Sequence, residues 1–316
     1  MVPIDDVDVL ENTLRKKGDL LDILLKDRTT GRNIIWATDS YLKTSKKSDP
    51  FWPAKQIRPD LVTGRNGKLI QPRTVKSKEE QKRRTKDKAE VFTPLRIVDE
   101  MNSAIDQSIG ENLPSDHTWQ DYVKMLKLEI TCGEAPYIVS RYDPTLTKSR
   151  PKKIGTRVGF LDKKLEVVSK YCDDKETWLH WAKEAYKASY GYEWQGDNIL
   201  IARENLLYSL IDYYKGKFKT KRAPSLKIQK EFAEIISWNI WQMDGLKYVV
   251  PMSCRHTKEV VPGLPLLGEP DKIIVTECPG CKNNDPFTHN GRYAKIKDWS
   301  RGKNGVKVKF VELLGL

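Results

Sequence analysis

Three of the chain's five cysteines fall late, as Cys254 and the pair in Cys278-Pro279-Gly280-Cys281, with His289 shortly after. A Cys-x-x-Cys spacing lets two thiolates reach one tetrahedral ion, and the Pro-Gly between them makes the knuckle turn. That is the chemistry of a structural zinc site closed by four protein ligands. Cys254 with His289 or His256 would complete the shell, and Asp285 is a nearby rival for the fourth position. The same spacing serves thiol redox chemistry elsewhere. A redox pair of that kind, however, opens a helix after a strand, whereas this one sits in a Gly, Asn and Pro loop. An odd number of cysteines also argues against a disulfide framework.

A second set of residues is built from carboxylates at strand ends. Leu128-Glu129-Ile130-Thr131-Cys132-Gly133 reads as a short strand running into a tight glycine loop. At the carboxyl end of the first strand of an open α/β sheet, such a loop is where a nucleotide-like cofactor lies. Gly191-Tyr192-Glu193-Trp194 ends a second strand in a carboxylate that can accept hydrogen bonds from both hydroxyls of a ribose. Ile235 to Gln242 gives a third strand candidate ahead of Asp244-Gly245, where the carboxylate can accept from an adenine amino group. In the rival reading Ile235 to Gln242 ends a helix, and Asp244 is an ordinary carboxylate at its C-terminus.

Helices must lie between these strands. Residues 158–171 and 175–188 carry Leu161, Leu165 and Val168, then Trp178, Trp181 and Ala185, at three- and four-residue spacing. They account for a separation of 60 residues between Gly133 and Glu193, where a compact strand-helix-strand unit needs about 20. Trp178 and Trp181 read as core rather than base-stacking groups. His117 and His180 lack companion ligands and read as structural. Ile199 to Tyr214 is a third helix, and a fourth starts at Pro224 or Ser225, with Ile228, Phe232, Ile235 and Ile236 on one face. Leu95, Ile97, Val98 and Met101 mark a helix behind Phe92-Thr93-Pro94.

Ahead of that, two short helical patterns at 7–17 and 19–26 split at Gly18. A strand is expected at Asn33 to Thr38, and a stretch rich in Pro, Asp, Ser and Gly runs to about Lys68. At the other end, Lys272 to Thr276, Tyr293 to Trp299 and Val306 to Val311 alternate as strands, which predicts a zinc-ribbon-like β module. Three units are therefore expected: an extension and basic linker over 1–88, a cofactor-binding domain over 89–250 and a zinc-binding module over 251–316.

Taken in order, the Phe-Thr-Pro segment, Leu-Glu-Ile-Thr-Cys-Gly, Gly-Tyr-Glu and Asn239-Ile-Trp-Gln-Met-Asp-Gly245 resemble the cofactor half of the DNA adenine amino-methyltransferases. The whole chain looks still closer to the modification subunits of restriction systems. The resemblance implies a class I, Rossmann-like fold binding S-adenosyl-L-methionine. It further implies that Phe92, Thr93 and Pro94 pack on the methionine end of the cofactor. Glu129, Thr131, Cys132 and Gly133, Glu193 and Trp194, and Asp244 and Gly245 would supply the rest of the site. Methyltransferases of this kind carry an Asn-Pro-Pro-Tyr or Asp-Pro-Pro-Tyr run after the third strand to hold the target amino group, and no such run exists here. The expectation is a cofactor-binding, DNA-associated subunit that needs a second chain for catalysis, or else a methyltransferase-like protein that binds DNA or senses cofactor without chemistry.

A net charge of +13 over 316 residues points to a polyanionic partner, because surface Lys and Arg gain affinity for nucleic acid by releasing condensed counterions. The basic run from Arg65 to Lys88 is the leading phosphate contact, with Arg73, Lys82, Arg83, Arg84 and Lys86 as its contacting residues. Lys282, Arg292, Lys295, Lys297, Arg301 and Lys303 give the late module a basic surface that could also lie on phosphates. No nuclease arrangement of the Pro-Asp…(Asp/Glu)-x-Lys or His-Asn-His type is present. No run reaches the roughly 18 apolar residues of a membrane helix, and the acidic start from Met1 to Asp8 is no signal peptide, so a cytoplasmic location is expected.

Overall fold

The computed structural model describes residues 19–112, 118–262, 271–302 and 304–315. The helical pattern expected at 7–17, His117 and Lys303 lie outside them. The chain is a mixed α/β protein around a three-stranded parallel sheet, β1 (Lys127–Glu129), β2 (Ser189–Glu193) and β3 (Ile240–Gln242), in the spatial order β1-β2-β3. Lys127 pairs with Ser189 and Gly191 with Ile240, so all three strands end on the same side. Every residue of β2 is buried, as a strand covered on both faces must be.

Parallel strands need crossovers, and here each is a pair of helices. Between β1 and β2 run Phe160–Tyr171 and Lys175–Lys187, the latter capped by the Asp174 side chain accepting from the Thr177 amide at 2.8 Å. Between β2 and β3 run Gly196–Lys217 and Leu226–Asn239, the latter capped by Ser225. The helix at Gly196–Lys217 is buried almost all round, although Asp197, Asn198, Arg203, Glu204 and Asn205 lie on it. Arg203 explains part of this: its guanidinium donates to the carbonyls of Leu24, Lys26, Ser237 and Ile240. One cation thereby closes the carbonyl ends of two helices, Leu20–Leu25 and Leu226–Asn239, onto β3.

Three expectations change. At the Cys-x-x-Cys pair the expected loop is instead a short helix, Pro279–Asn283, which Cys278 precedes just after the strand Lys272–Thr276. Ile235 to Asn239 is helix, and only Ile240 to Gln242 is strand. Phe232, Ile235 and Ile236, with Ile228 partly buried ahead of them, keep one helical face inward until the Asn239 side chain breaks away to donate to the carbonyls of Tyr186, Lys187 and Ser189. Asn33 to Thr38 forms isolated bridges rather than a strand. The Gln242 side chain takes both main-chain groups of Ile35, and Ala37 then turns the chain with φ +60. Gly196 packs so tightly behind Ile35 that an added Cβ would stand 2.0 Å from its carbonyl oxygen.

The C-terminal part adds two antiparallel pairs, β4 (Thr257–Val261) with β5 (Lys272–Thr276) and β6 (Lys295–Asp298) with β7 (Val306–Lys309). Ile296 and Phe310 pack with Tyr190, Tyr192, Trp241 and Met243, so the β6-β7 pair covers the sheet face opposite the helices. Trp178 is fully buried in the helical core, with its indole N–H on Ser169 at 3.0 Å. Among the described residues no helix is long and apolar enough to cross a membrane.

Candidate functional site

The loop after β1 is set by three positive φ angles in five residues, at Thr131 (+45), Gly133 (+52) and Ala135 (+64). Glu129 holds it: its carboxylate accepts from the amides of Tyr137 at 3.3 Å and Ile138 at 3.1 Å. Glu193 holds the other limb, with one carboxylate oxygen on the Gly133 amide at 2.9 Å and the other on the Gln195 amide at 3.0 Å. Burial pushes both carboxyls up, against the amides that favour their charged forms. Gly133 is required on two counts, since a Cβ there would stand 2.9 Å from the Phe92 ring as well as occupying a left-handed backbone.

A cleft of about 510 Å³ opens at this corner, at the carboxyl ends of β1 and β2. It is lined by Phe92, Thr131, Gly133, Glu193 and Trp194 from the residues singled out in the sequence. It is also lined by Lys88, from the end of the basic run, and by residues that the sequence did not mark as site residues, among them Asp39, Gln195, Asn198 and Met252. Asp39 and Lys88 form an ion pair at its wall, and Lys88 keeps the Asp39 carboxyl below its ordinary range. Asn198 is buried with its side-chain oxygen lacking a hydrogen-bond partner. The signal for Asn198 was its place one turn into the helix behind β2, where side chains face the strand ends.

The remaining expected residues do not line the cleft. Glu129 is spent on the loop. The Asp244 carboxylate accepts from the amides of Leu246 at 3.0 Å and Lys247 at 3.2 Å and so closes a turn. Gly245 lies against the Tyr192 ring, Cys132 is buried, and the Pro94 carbonyl accepts from Ile97 and Val98 to start the helix Leu95–Asn112. Thr93 stands beside Phe92 but off the cleft wall. Of the three acids, Glu193 alone faces the cavity.

The basic run divides as well. Lys82, Arg83 and Lys86 are exposed on the helix Lys78–Lys88. Arg84, only 1% exposed, faces inward from the same helix to Glu90 at 2.7 Å and Asp197 at 2.6 Å. Arg73 reaches Glu90 at 3.2 Å and lies over the Phe92 ring. Arg84 is engaged by buried acids and Arg73, with 12% of its side chain exposed, is bound to Glu90, so the exposed cations among the five are Lys82, Arg83 and Lys86.

Cys254, Cys278, Cys281 and His289 form a second centre, with ligand atoms all within 4.8 Å of one another. The three sulfurs stand 3.6, 3.5 and 3.7 Å from Nδ1 of His289. Bonds of about 2.3 Å to sulfur and 2.0–2.1 Å to nitrogen at a tetrahedral angle separate S from N by about 3.5–3.6 Å. The group could therefore hold a metal ion such as zinc. His289 is the fourth member, and His256 and Asp285 are outside the group. Gly280 fits beneath the imidazole where any Cβ would come within 2.6 Å of the ring. Burial opposes the thiolate of Cys278, but the amides of Asn290 and Cys281, with His289, hold it down at about 6. Burial and the neighbouring thiols of Cys281 and Cys278 push Cys254 up to about 12. Three thiolates crowded this closely need a cation to discharge together.

Fold and site thus define a mixed α/β chain with a cleft at the ends of a parallel sheet and a Cys₃His group beside it. In comparison with known proteins the chain matches no family model, no curated protein and no solved structure.

Proposed function

We propose that this chain is the S-adenosyl-L-methionine-binding, DNA-associated subunit of a split DNA adenine N6-methyltransferase of a restriction-modification system, on a class I methyltransferase-like sheet. The observation that carries the reading is the cleft at the carboxyl ends of β1 and β2, where Glu193, Trp194, Gly133 and Phe92 meet. Its volume is within the roughly 300–1,000 Å³ of small-molecule sites. Each Glu193 oxygen gives one lone pair to an amide and keeps another for a ribose hydroxyl, while Trp194 and Phe92 offer aromatic faces to an adenine ring and a sulfonium. Zinc in the Cys₃His group would be structural, because all four positions are filled by side chains.

Methyl transfer is a displacement at sulfonium carbon, helped by holding the amino group in line and excluding water, and a base in a duplex must first be flipped out. Without an Asn-Pro-Pro-Tyr run this chain has no grip on such a base, so a second polypeptide supplies it. In support, β1 pairs only with β2 among the described residues, and Leu126, Leu128 and Ile130 are exposed along that edge. The alternative, a methyltransferase-like protein that senses cofactor without chemistry, draws on the same missing run.

Titration calorimetry with S-adenosylmethionine and S-adenosylhomocysteine is the test. Saturable binding is expected, weakened about tenfold or more by Glu193→Gln, and no transfer of labelled methyl to mixed-sequence DNA without a partner. Absence of cofactor binding would sink the reading, and transfer by the isolated chain would sink the split.

A further inference from the structure

The β6-β7 pair places like charges directly opposite one another. Lys295 faces Lys309 and Lys297 faces Lys307 across the ladder. Side chains alternate along a strand, so all four lysines share one face, while Ile296 and Val308 pair on the other toward the core. Opposed like charges destabilise a sheet, and the surroundings add to the excess. Arg28, Lys297 and Lys307 lie over the Trp238 ring, and Lys187 and Lys297 over Trp299. Among the described residues no carboxylate is ion-paired with Lys295, Lys297 or Lys307. Glu234, whose charge acts on Lys297, is engaged by Arg28, Glu184 by Lys187 and Glu312 by Lys309. Burial lowers the Lys297 ammonium's affinity for its proton, and Lys307, Arg28 and Lys187 lower it further against the pull of Glu234.

We infer that this lysine face is a docking surface for the phosphodiester backbone of a nucleic acid. A row of cations two residues apart on the ladder, with Lys295, Lys297 and Lys307 free of any ion pair among the described residues, Lys309 held only by Glu312 at its exposed end, and indoles beneath, is arranged to take several phosphates at once and release their counterions. An anionic membrane fits less well, since membrane-surface elements also present apolar side chains for insertion, and the face formed by Lys295, Lys297, Lys307 and Lys309 carries none. The assignment rests on the DNA-associated reading above and says where the backbone lies. It also differs from the basic run at Arg65 to Lys88, whose Arg73 and Arg84 are turned inward.

Binding of the full chain to a labelled mixed-sequence duplex, as DNA and as RNA, is measured from about 50 to 200 mM salt. The variant carries Lys295→Gln, Lys297→Gln, Lys307→Gln and Lys309→Gln together, and thermal unfolding checks that it folds. Each lysine withdrawn from a phosphate makes the slope of log affinity against log salt shallower by about 0.9, so a decrease of about 3.6 is expected for four. Wild-type binding with the same slope in a folded variant overturns this site alone. Tight binding to RNA only keeps the site and sinks the DNA reading. Failure of wild type to bind either, or binding only to phosphatidylserine vesicles, overturns both. If the quadruple variant does not fold, the pair Lys295→Gln and Lys309→Gln takes its place, with a decrease of about 1.8 expected and an unchanged slope counting against the site.

Discussion

Gly133 and Glu193 carry the corner on which the cleft depends, and each makes a separable demand. Gly133→Ala forces a Cβ into a left-handed backbone, costing about 1–2 kcal/mol, and drives it against Phe92. The expected signature is non-additivity. Shortening the ring with Phe92→Leu recovers the steric part of the loss and leaves the backbone part, so a double-mutant cycle by urea unfolding gives a coupling energy above about 0.5 kcal/mol. Purely additive losses would mean that the Phe92 ring is not what excludes a side chain there. Glu193→Gln replaces one acceptor oxygen with a donor that faces an amide N–H. Losing a charged acceptor and leaving that donor unpaired is expected to cost about 1–3 kcal/mol, and an unchanged unfolding midpoint would refute the amide-pinning role.

At the scale of elements, the metal group and the lysine ladder bias the C-terminal part in opposite directions. Loading the Cys₃His group must expel the proton from Cys254, whose thiol is held up at about 12. Metal uptake is therefore expected to release protons and to weaken as pH falls. Elemental analysis is expected to find one zinc per chain, absent in Cys281→Ser, and a chelator to lower the melting temperature. A chain that melts identically after exhaustive chelation would contradict a structural ion. The ladder works the other way: Lys307→Thr removes one opposed pair and is expected to raise stability by about 0.2–1 kcal/mol at low salt, a gain that shrinks as salt screens the repulsion.

These elements also show what the sequence could reveal. The Cys-x-x-Cys spacing, the β1 and β2 ends and the crossover helices were readable from local pattern, since apolar periodicity and turn residues act over a few positions. The helix running to Asn239 was ambiguous, because Ile235 to Trp241 is apolar enough for either a buried helix end or a strand. The choice fell to side-chain bonds from Asn239 to residues some fifty positions away.

The same limit governs the whole molecule, where net charge said that cations outnumber acids but not which cations are spent internally. The inward turn of Arg84 joins the N-terminal region to the helix Gly196–Lys217 through Glu90 and Asp197, with Tyr41 donating to the same Asp197 at 2.7 Å. Asp197 stands 113 positions from Arg84 and leaves no local trace, so a basic run reads as a solvated face until its acids are found. Removing the cation leaves buried Asp197 without its main counter-ion and Glu90 with Arg73 alone, and Arg84→Met is expected to cost about 3–5 kcal/mol at neutral pH.

The pH dependence separates this from simple loss of packing. Burial raises the Asp197 carboxyl, but Arg84 and Lys76 outweigh it and hold it below its ordinary range. A carboxyl depressed by folding adds stability above its unfolded value of about 3.9, and that stability is lost as pH falls through the lower folded value. In Arg84→Met the main cation is gone, burial dominates, and the same carboxyl shifts upward, so the variant loses stability as pH rises. The gap between wild type and variant in urea unfolding is accordingly expected to be widest near pH 7 and to narrow toward pH 4. A gap of constant size across that range would show that the methylene stem of Arg84, and not its charge, ties the two parts of the chain together.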